Sequence, residues 1–484
     1  MSVDYSKYEA VIGLEVHTQL LTNTKAYSAD INAYGNAPNS NISPISLGHP
    51  GTLPVSNEKV FEYAVRLGIA CDCDITEWNE YARKNYFYAD LPKGYQVTQD
   101  TTPICTGGFV DILDGDGNPK RIGLTRIHME EDSGKSIHDQ DPFNTLIDLN
   151  RAGVPLLEIV TEPEMKSGKE AFNYLMEVRK LVRYLEICDG NMEEGSLRCD
   201  ANISVMLKGA TTFGTKVEVK NMNSMRNVQR AIEHEIKRQI EAVEIGEKII
   251  QDTRTFDAGK GITISMRSKE DAHDYRYFPE PDLQPVVVTK EYIQEILASL
   301  PPLPKALFQK YTTEFNLSEY DAYILTDAKE IALYFEEVVA HTKNYKAAAN
   351  WVMGSVKSYL NEQALDIRDF KISPERLADL INLVDSGQVS NTAASQNIFP
   401  LMIDSEKTAA QIAKDENLIQ ESDSGALEEY AKKAIAKFPA KVIEYQSGKK
   451  GLLGLFMGEV MKLSQGKADP KEASKILMKY LDNA

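Results

Sequence analysis

Tyr8-Glu9-Ala10-Val11-Ile12-Gly13-Leu14-Glu15-Val16-His17 opens the chain with a β-type run that carries a carboxylate and an imidazole two residues apart. Side chains alternate along a strand, so if Val11–Leu20 is a strand, Glu15 and His17 share one face. Working outward, Gly108–Leu113 and Arg121–His128 are further β-type runs, and helices alternate with them. Asp114-Gly115-Asp116-Gly117-Asn118 lies between two such runs and predicts a hairpin turn. It is not a calcium loop, because Pro119 stands where that loop needs Gly and Thr125 where it needs Glu.

Two helices are well marked. Ser167-x-x-Glu170 reads as a capping box, and Phe172, Leu175, Met176, Val182 and Leu185 recur at helical spacing until Asp189-Gly190. A second helix starts near Ser224, with Val228, Ile232, Ile236 and Ile240 four apart and Gly246 as its stop. Composition shifts after residue 295. Leu300-Pro301-Pro302-Leu303-Pro304 reads as a stiff linker, and the pattern is then helical to about residue 400, including Ala347–Leu360. A second break is expected near Phe399-Pro400, followed by short helices. The pattern predicts an α+β chain with a mixed, β-rich domain over 1–295, an all-helical domain over 296–403 and a small helical tail over 404–484.

At 484 residues the chain is too long for one ordinary core. Hydrophobic residues make up 42% and charged residues 26%, as in soluble globular proteins. No stretch approaches the apolar length of a membrane span, and Met1–Tyr5 has no secretory pattern, so a cytoplasmic location without membrane contact is expected. The five cysteines suggest reduced thiols rather than a disulfide framework. A net charge of −18 argues against a general nucleic-acid coat. From Lys441 to the end, however, eight Lys face five Asp/Glu, a local basic patch that by charge alone reads as a solvated helical face.

Standard nucleotide motifs fail. Ser133-Gly134-Lys135-Ser136 ends like a P-loop, but Met129 stands where the first Gly is required. Acids, bases and cations concentrate instead in four short motifs: Gly13 to His17, His128 to Lys135, Met192 to Asn202, and Lys216 to Asn221. Carboxylates with an imidazole suit Mg²⁺, and Lys or Arg beside them suit phosphate oxygens. Such a set can promote phosphoryl transfer by position and charge alone.

These motifs, with Arg83-Lys84-Asn85-Tyr86-Phe87-Tyr88, Asp148 to Arg151, Glu218 to Ser224, Asp274 to Asp282, Asn350 to Gly354 and Gly451 to Pro470, make the chain resemble the B-subunit family of the aspartyl/glutamyl-tRNA amidotransferases (the GatB/GatE family) over essentially its whole length. The resemblance implies a cradle domain, a helical domain and a tail. It implies a carbon–nitrogen ligase that uses ATP to phosphorylate the side-chain carboxylate of Glu-tRNA(Gln) or Asp-tRNA(Asn). Ammonia is made from glutamine by the amidase, or A, chain of a heterotrimer whose third member is a small C chain, and it then forms the amide. A non-catalytic tRNA-binding scaffold is the alternative. On this reading Glu15, His17, Glu131 and Glu218 hold Mg²⁺, while Lys220, Arg198 and Ser196 contact phosphate or carboxylate. Tyr86, Tyr88, Asp90, Lys93 and Tyr95 either line the ammonia route or simply pack a β-domain. Lys449, Lys450, Lys462 and Lys467 contact tRNA phosphates. Some members carry four zinc-binding cysteines, and the corresponding positions here are Ser28, Asp30, Ser43 and Ser46, so no zinc is expected.

Overall fold

The computed structural model of the chain describes residues 3–266, 275–419, 424–464 and 468–482. Lys467 and Asp274, both named above, lie outside the described residues. The fold is α+β and divides into two compact units, Met1–Leu303 and Pro304–Ala484.

The first unit is built on a ten-stranded sheet. Its centre comprises β1 (Tyr8–Gln19), β2 (Pro119–Glu131), β3 (Pro155–Thr161), β4 (Leu197–Leu207) and β5 (Val217–Lys220). Across the sheet they run in the order β2–β3–β1–β4–β5, each pair antiparallel. Thr253–Asp257 adds parallel to β5, and Cys105–Thr106 and Phe109–Leu113 both add to β2. The turn expected at 114–118 forms, with Asp114 Oδ1 accepting from the backbone N–H groups of Asp116 (2.9 Å) and Asn118 (2.8 Å).

Alternation sorts the sheet into two faces. Ile12, Leu14, Val16, Ile127, Met129, Leu157, Ile159, Ala201 and Val219 join one hydrophobic core with α1 (Glu58–Ala70), α2 (Gly168–Tyr184) and α3 (Met225–Glu244). Each buried Val, Leu, Ile or Met side chain among these contributes roughly 1.5–3 kcal/mol by leaving water. α3 starts where its cap predicts: Ser224 Oγ accepts from Asn227 N–H at 3.2 Å. α2 is capped by Ser167, but Glu170 does not complete the box. Its carboxylate accepts instead from Lys166 N–H (2.9 Å) and Lys120 Nζ (2.7 Å). α2 also ends at Tyr184, short of Asp189-Gly190, because Glu186 adopts φ 56° and turns the chain out of the helix.

The second unit is helical. Tyr345 to Gln363 is helical as expected, but a π-turn over Val352–Val356 interrupts it. The break expected near Phe399-Pro400 falls a few residues later, at 404–408. Helical structure continues from Asn391 to Ile403, with a π-turn at Ala394–Ile398 directly upstream and Pro400 in the first turn of the next segment. Proline lacks an N–H and tolerates a first turn, so a change of helical register there accommodates it. Leu427, Val442, Phe456, Val460, Leu477 and Leu481 form a separate small core near the end of the chain. Among the described residues no helix is long and apolar enough to cross a membrane.

Candidate active site

The sheet face opposite the helices is charged, and strand register assembles it. Arg198 pairs with His17, His17 with Glu158, and Glu158 with His128, so four side chains form one row across β4, β1, β3 and β2. One carboxylate oxygen, Glu158 Oε2, lies 3.3 Å from His17 Nε2 and 3.4 Å from His128 Nε2. Two residues along β2, Glu130 Oε2 lies 3.4 Å from the same His128 nitrogen, and Lys84 Nζ approaches Glu130 Oε1 at 3.8 Å. A second acidic group sits one step away: Glu15 pairs in register with Asp200, and Glu218 faces Asn202. Asn202 Nδ2 donates to Glu15 Oε1 (2.9 Å), and Lys220 Nζ bridges Asp200 (2.8 Å) and Glu218 (3.0 Å).

The electrostatics follow from burial against neighbours. Burial disfavours a charged His128, yet hydrogen bonds and charge from Glu130 and Glu158 outweigh it and raise its pKa to about 9. His17 is raised in the same sense, because Glu158 offsets its desolvation. Burial alone would raise Glu158, but the two imidazoles hold it well below the usual carboxylate range. Glu15 goes the other way: burial, then the negative charges of Glu158 and Glu218, push it up.

This charge pattern fits a divalent cation. His128, Glu130 and Glu158 bring one imidazole nitrogen and two carboxylate oxygens within 4.8 Å of one another, and Glu15, Asp200 and Glu218 do the same with three carboxylates. Hard oxygen donors with one imidazole match Mg²⁺. The positive charge these carboxylates gather comes from imidazoles and lysines, the place a cation would take.

Not every expected residue joins the face. Glu131 is the main correction to the expected grouping: it projects from the opposite side of β2, where it bonds Lys93 Nζ and accepts from Val97 N–H at 2.8 Å. With Lys25, Tyr27, Lys93 and Tyr95 it lines a separate cavity of about 220 Å³. Arg198 reaches the row but is tied to Asp132 (2.8 Å). Ser196 lies at the entry to β4, bonded to Asp189 Oδ2 at 3.2 Å. The tyrosine set divides. Lys93 and Tyr95 line the cavity, Asp90 accepts from Ser136 (2.9 Å), and Tyr86 packs edge-to-face on Tyr88 and on Tyr275.

Glu158 stands outside every motif the sequence singles out, whereas His128, Glu130, Asp200 and Lys84 lie inside such motifs without a role assigned to them. Alternation along His128-Met129-Glu130-Glu131 already separates Glu130 from Glu131, and a glutamate inside the apolar run Pro155–Val160 was the available signal for Glu158.

Ser28, Asp30, Ser43 and Ser46 do converge. Asp30 Oδ2 accepts from Ser46 Oγ and from Ser43 N–H (2.9 Å), and Ser28 Oγ lies 3.2 Å from Ser46 Oγ. Three hydroxyls and one carboxylate are a poor donor set for zinc; Asp30 gathers the hydrogen bonds of the group, while the Ser43 hydroxyl is buried without a partner among the described residues. Near the end of the chain, exposed Lys449 pairs with the half-buried Glu444 (3.1 Å) and exposed Lys450 with Asp482 (2.6 Å), while Lys462 is exposed in the helix Leu453–Leu463.

The chain is similar to known proteins over nearly its whole length. Residues 10–294 match the family described as the GatB/GatE catalytic domain, and residues 333–481 match the GatB domain. The B subunit of the aspartyl/glutamyl-tRNA(Asn/Gln) amidotransferase of Geobacter sulfurreducens is 50% identical over 477 residues, covering 98% of this chain and 99% of that protein. The protein of the same name from Synechococcus sp. (strain JA-2-3B'a(2-13)) is 49% identical over 98% of each chain. That from Caldicellulosiruptor bescii is 47% identical over 98% of this chain and 99% of its own length. The chain belongs to the GatB/GatE family.

Proposed function

We propose that this chain is the amidating member of a tRNA-dependent amidotransferase, acting on glutamate carried by tRNA(Gln) or aspartate carried by tRNA(Asn). The observation that carries the reading is the row His17–Glu158–His128, joined by Glu130, on an otherwise solvent-directed sheet face. A scaffold has no need of it, because burying that many charges is costly unless they are paired for a purpose.

In the first step a side-chain carboxylate oxygen of the aminoacyl-tRNA attacks the terminal phosphorus of ATP. A new P–O bond forms, the bond to the ADP oxygen breaks, and ADP leaves. In the second, ammonia nitrogen adds to the acyl carbon, the C–O bond to phosphate breaks, inorganic phosphate leaves, and nitrogen sheds one proton. Mg²⁺ held by His128, Glu130 and Glu158, with His17 on the shared Glu158 oxygen, would neutralise charge on the ATP phosphates. Glu130 takes the place expected of Glu131. Glu15, Glu218 and Asp200 form a second acidic group beside it. Lys220 and Arg198 face the phosphates; each rests on a carboxylate (Asp200 and Asp132) that positions it. Ammonia comes from glutamine on the amidase (A) chain, and the small C chain completes the heterotrimer. The cavity lined by Lys93, Tyr95 and Glu131 is our candidate for part of its route, since an acyl phosphate survives only where water is excluded. The exposed lysines Lys449, Lys450 and Lys462 suit tRNA phosphates, read by shape rather than by base edges.

The test uses the assembled complex. ATP cleavage stimulated by Glu-tRNA(Gln) is followed for wild type, His17→Ala and Glu131→Ala, with glutamine hydrolysis in parallel. Loss of ATP cleavage in His17→Ala with glutamine hydrolysis retained supports the reading. Full ATP cleavage in His17→Ala moves the phosphoryl-transfer site elsewhere.

A further inference from the structure

The strands of the charged face carry one cation that stands unpaired among the described residues. On β1 to β5, His17, Lys120, Arg121, His128, Arg198 and Lys220 each hold a carboxylate. The remaining basic side chain on those strands is Arg126. Among the described residues no carboxylate, carbonyl or ring meets its guanidinium, and its Nε is buried without an acceptor. Enclosed donors nearly always have partners, so a guanidinium left unpaired beside a polar site is a place for an acceptor from outside the chain. Arg126 as a whole is only half-buried, which leaves the outer edge of the guanidinium open.

A β-bulge aims this side chain. Thr161 pairs with Leu124 and Val160 with Arg126, so Thr125 is an extra residue in β2. Ile122 and Leu124 belong to the core, and strict alternation would send Arg126 after them. The extra residue reverses the alternation and turns Arg126, with His128 and Glu130, to the charged face. There Arg126, Val160, Glu15 and Asp200 stand in one register row, beside the row through Glu158. Val160 is half-buried and uncharged, so the surface it forms lies between the unpaired guanidinium and an acidic group.

We propose that Arg126 binds the side-chain carboxylate of the aminoacyl group that is to be amidated. The inference rests on the function proposed above and names the residue that receives the nucleophile of its first step. That carboxylate must enter a face lined by Glu15, Glu130, Glu158, Asp200 and Glu218, whose charges repel it. A guanidinium meets a carboxylate through two parallel hydrogen bonds, so it offsets the repulsion and fixes the orientation of the attacking group. Arg198 and Lys220 are carried by β4 and β5 and Arg126 by β2, so triphosphate and carboxylate each have a cation of their own.

The experiment uses the assembled complex. It measures the affinities of Glu-tRNA(Gln) and Gln-tRNA(Gln), which differ only in carboxylate against amide, for wild type, Arg126→Gln and Arg126→Lys. Wild type should prefer the carboxylate. Arg126→Gln should lower that preference roughly 10-fold, the loss expected for one charge-assisted pair, with KM for ATP within about two-fold of wild type. Arg126→Lys keeps the charge but not the fork and should show an intermediate preference. Glutamine hydrolysis reports assembly; should Arg126→Gln not assemble, an intermediate preference in Arg126→Lys supports the proposal and an unchanged one overturns it. An unchanged preference in Arg126→Gln also overturns it. So does an equal loss on both tRNAs, which would place an RNA phosphate on Arg126, and so does a selective rise in KM for ATP. A wild-type complex whose ATP cleavage ignores Glu-tRNA(Gln) would instead remove the proposed function itself.

Discussion

Two sets of ion pairs, one in each unit, differ in kind. In the first unit Glu130, Glu131, Asp132, Glu158 and Glu235 are buried, each against a cation or an imidazole. In the second unit Lys433–Glu429, Lys449–Glu444 and Lys450–Asp482 stand in solvent. A buried pair is held in one geometry, and removing one partner strands the other in a medium that stabilises charge poorly. An exposed pair is worth little and re-pairs easily. The difference teaches that a buried carboxylate is fixed on its partner, whereas an exposed lysine can exchange its carboxylate for another anion.

The largest expected effect breaks the buried row at its centre. Glu158→Ala should lower tRNA-stimulated ATP cleavage by about 100-fold or more, as loss of a preorganised electrostatic group does, while glutamine hydrolysis persists. A smaller loss would mean that the row is structural.

Glu131 sharpens the contrast within the first unit. Glu131→Ala leaves the Lys93 ammonium, 14% exposed, without its carboxylate, and should cost about 3–5 kcal/mol in urea unfolding. The double variant Glu131→Leu/Lys93→Met should recover most of that loss, because no charge is then left unpaired. Equal damage in both would assign the stability to shape and not to charge.

A third prediction concerns pH. Burial alone would raise Glu235, but hydrogen bonds from Arg238 and Gln239 outweigh it and hold its pKa below the usual 4.5. A depressed carboxylate contributes stability above its unfolded pKa and loses it as pH falls through the folded one. The stability gap between wild type and Glu235→Gln should therefore be full at neutral pH and shrink steadily below about pH 4.5. Glu429→Gln, at an exposed pair, should leave the melting temperature unchanged across the same range. A gap that persists in acid would refute the charge argument for Glu235.

The smallest effect lies near the end of the chain. Lys449→Ala and Lys450→Ala should each weaken tRNA binding whatever the sequence and reduce the salt dependence of binding by about one unit of slope. No change in that slope would leave these lysines as solvated surface.

Local features of the fold were legible in the residues themselves. Ser224 caps its helix, Asp114 closes its hairpin, and Glu15 and His17 share a face, each because a short stretch of backbone sets its own hydrogen bonds and side-chain directions. Expectation and structure part where a neighbour intervenes. Glu170 turns to Lys120, α2 stops at Glu186, and Pro400 is accommodated in a helix by the π-turn before it. Charge alone does not separate Glu131 from Glu130; alternation along β2 does, and it sends them to opposite faces.

By itself the sequence determined that a strand runs through Glu15 and His17, that helices start at Ser167 and Ser224, where the polar motifs stand, and which side chains within one strand look the same way. Those are properties of backbone period and local bonding. Only the tertiary structure decided that β1 lies between β3 and β4, and in a register that sets Glu158 against His17 and His128. Strand neighbours far apart in the chain are selected by the packing of one common core, and a shift of one residue would have turned Glu158 toward the helices and left no site.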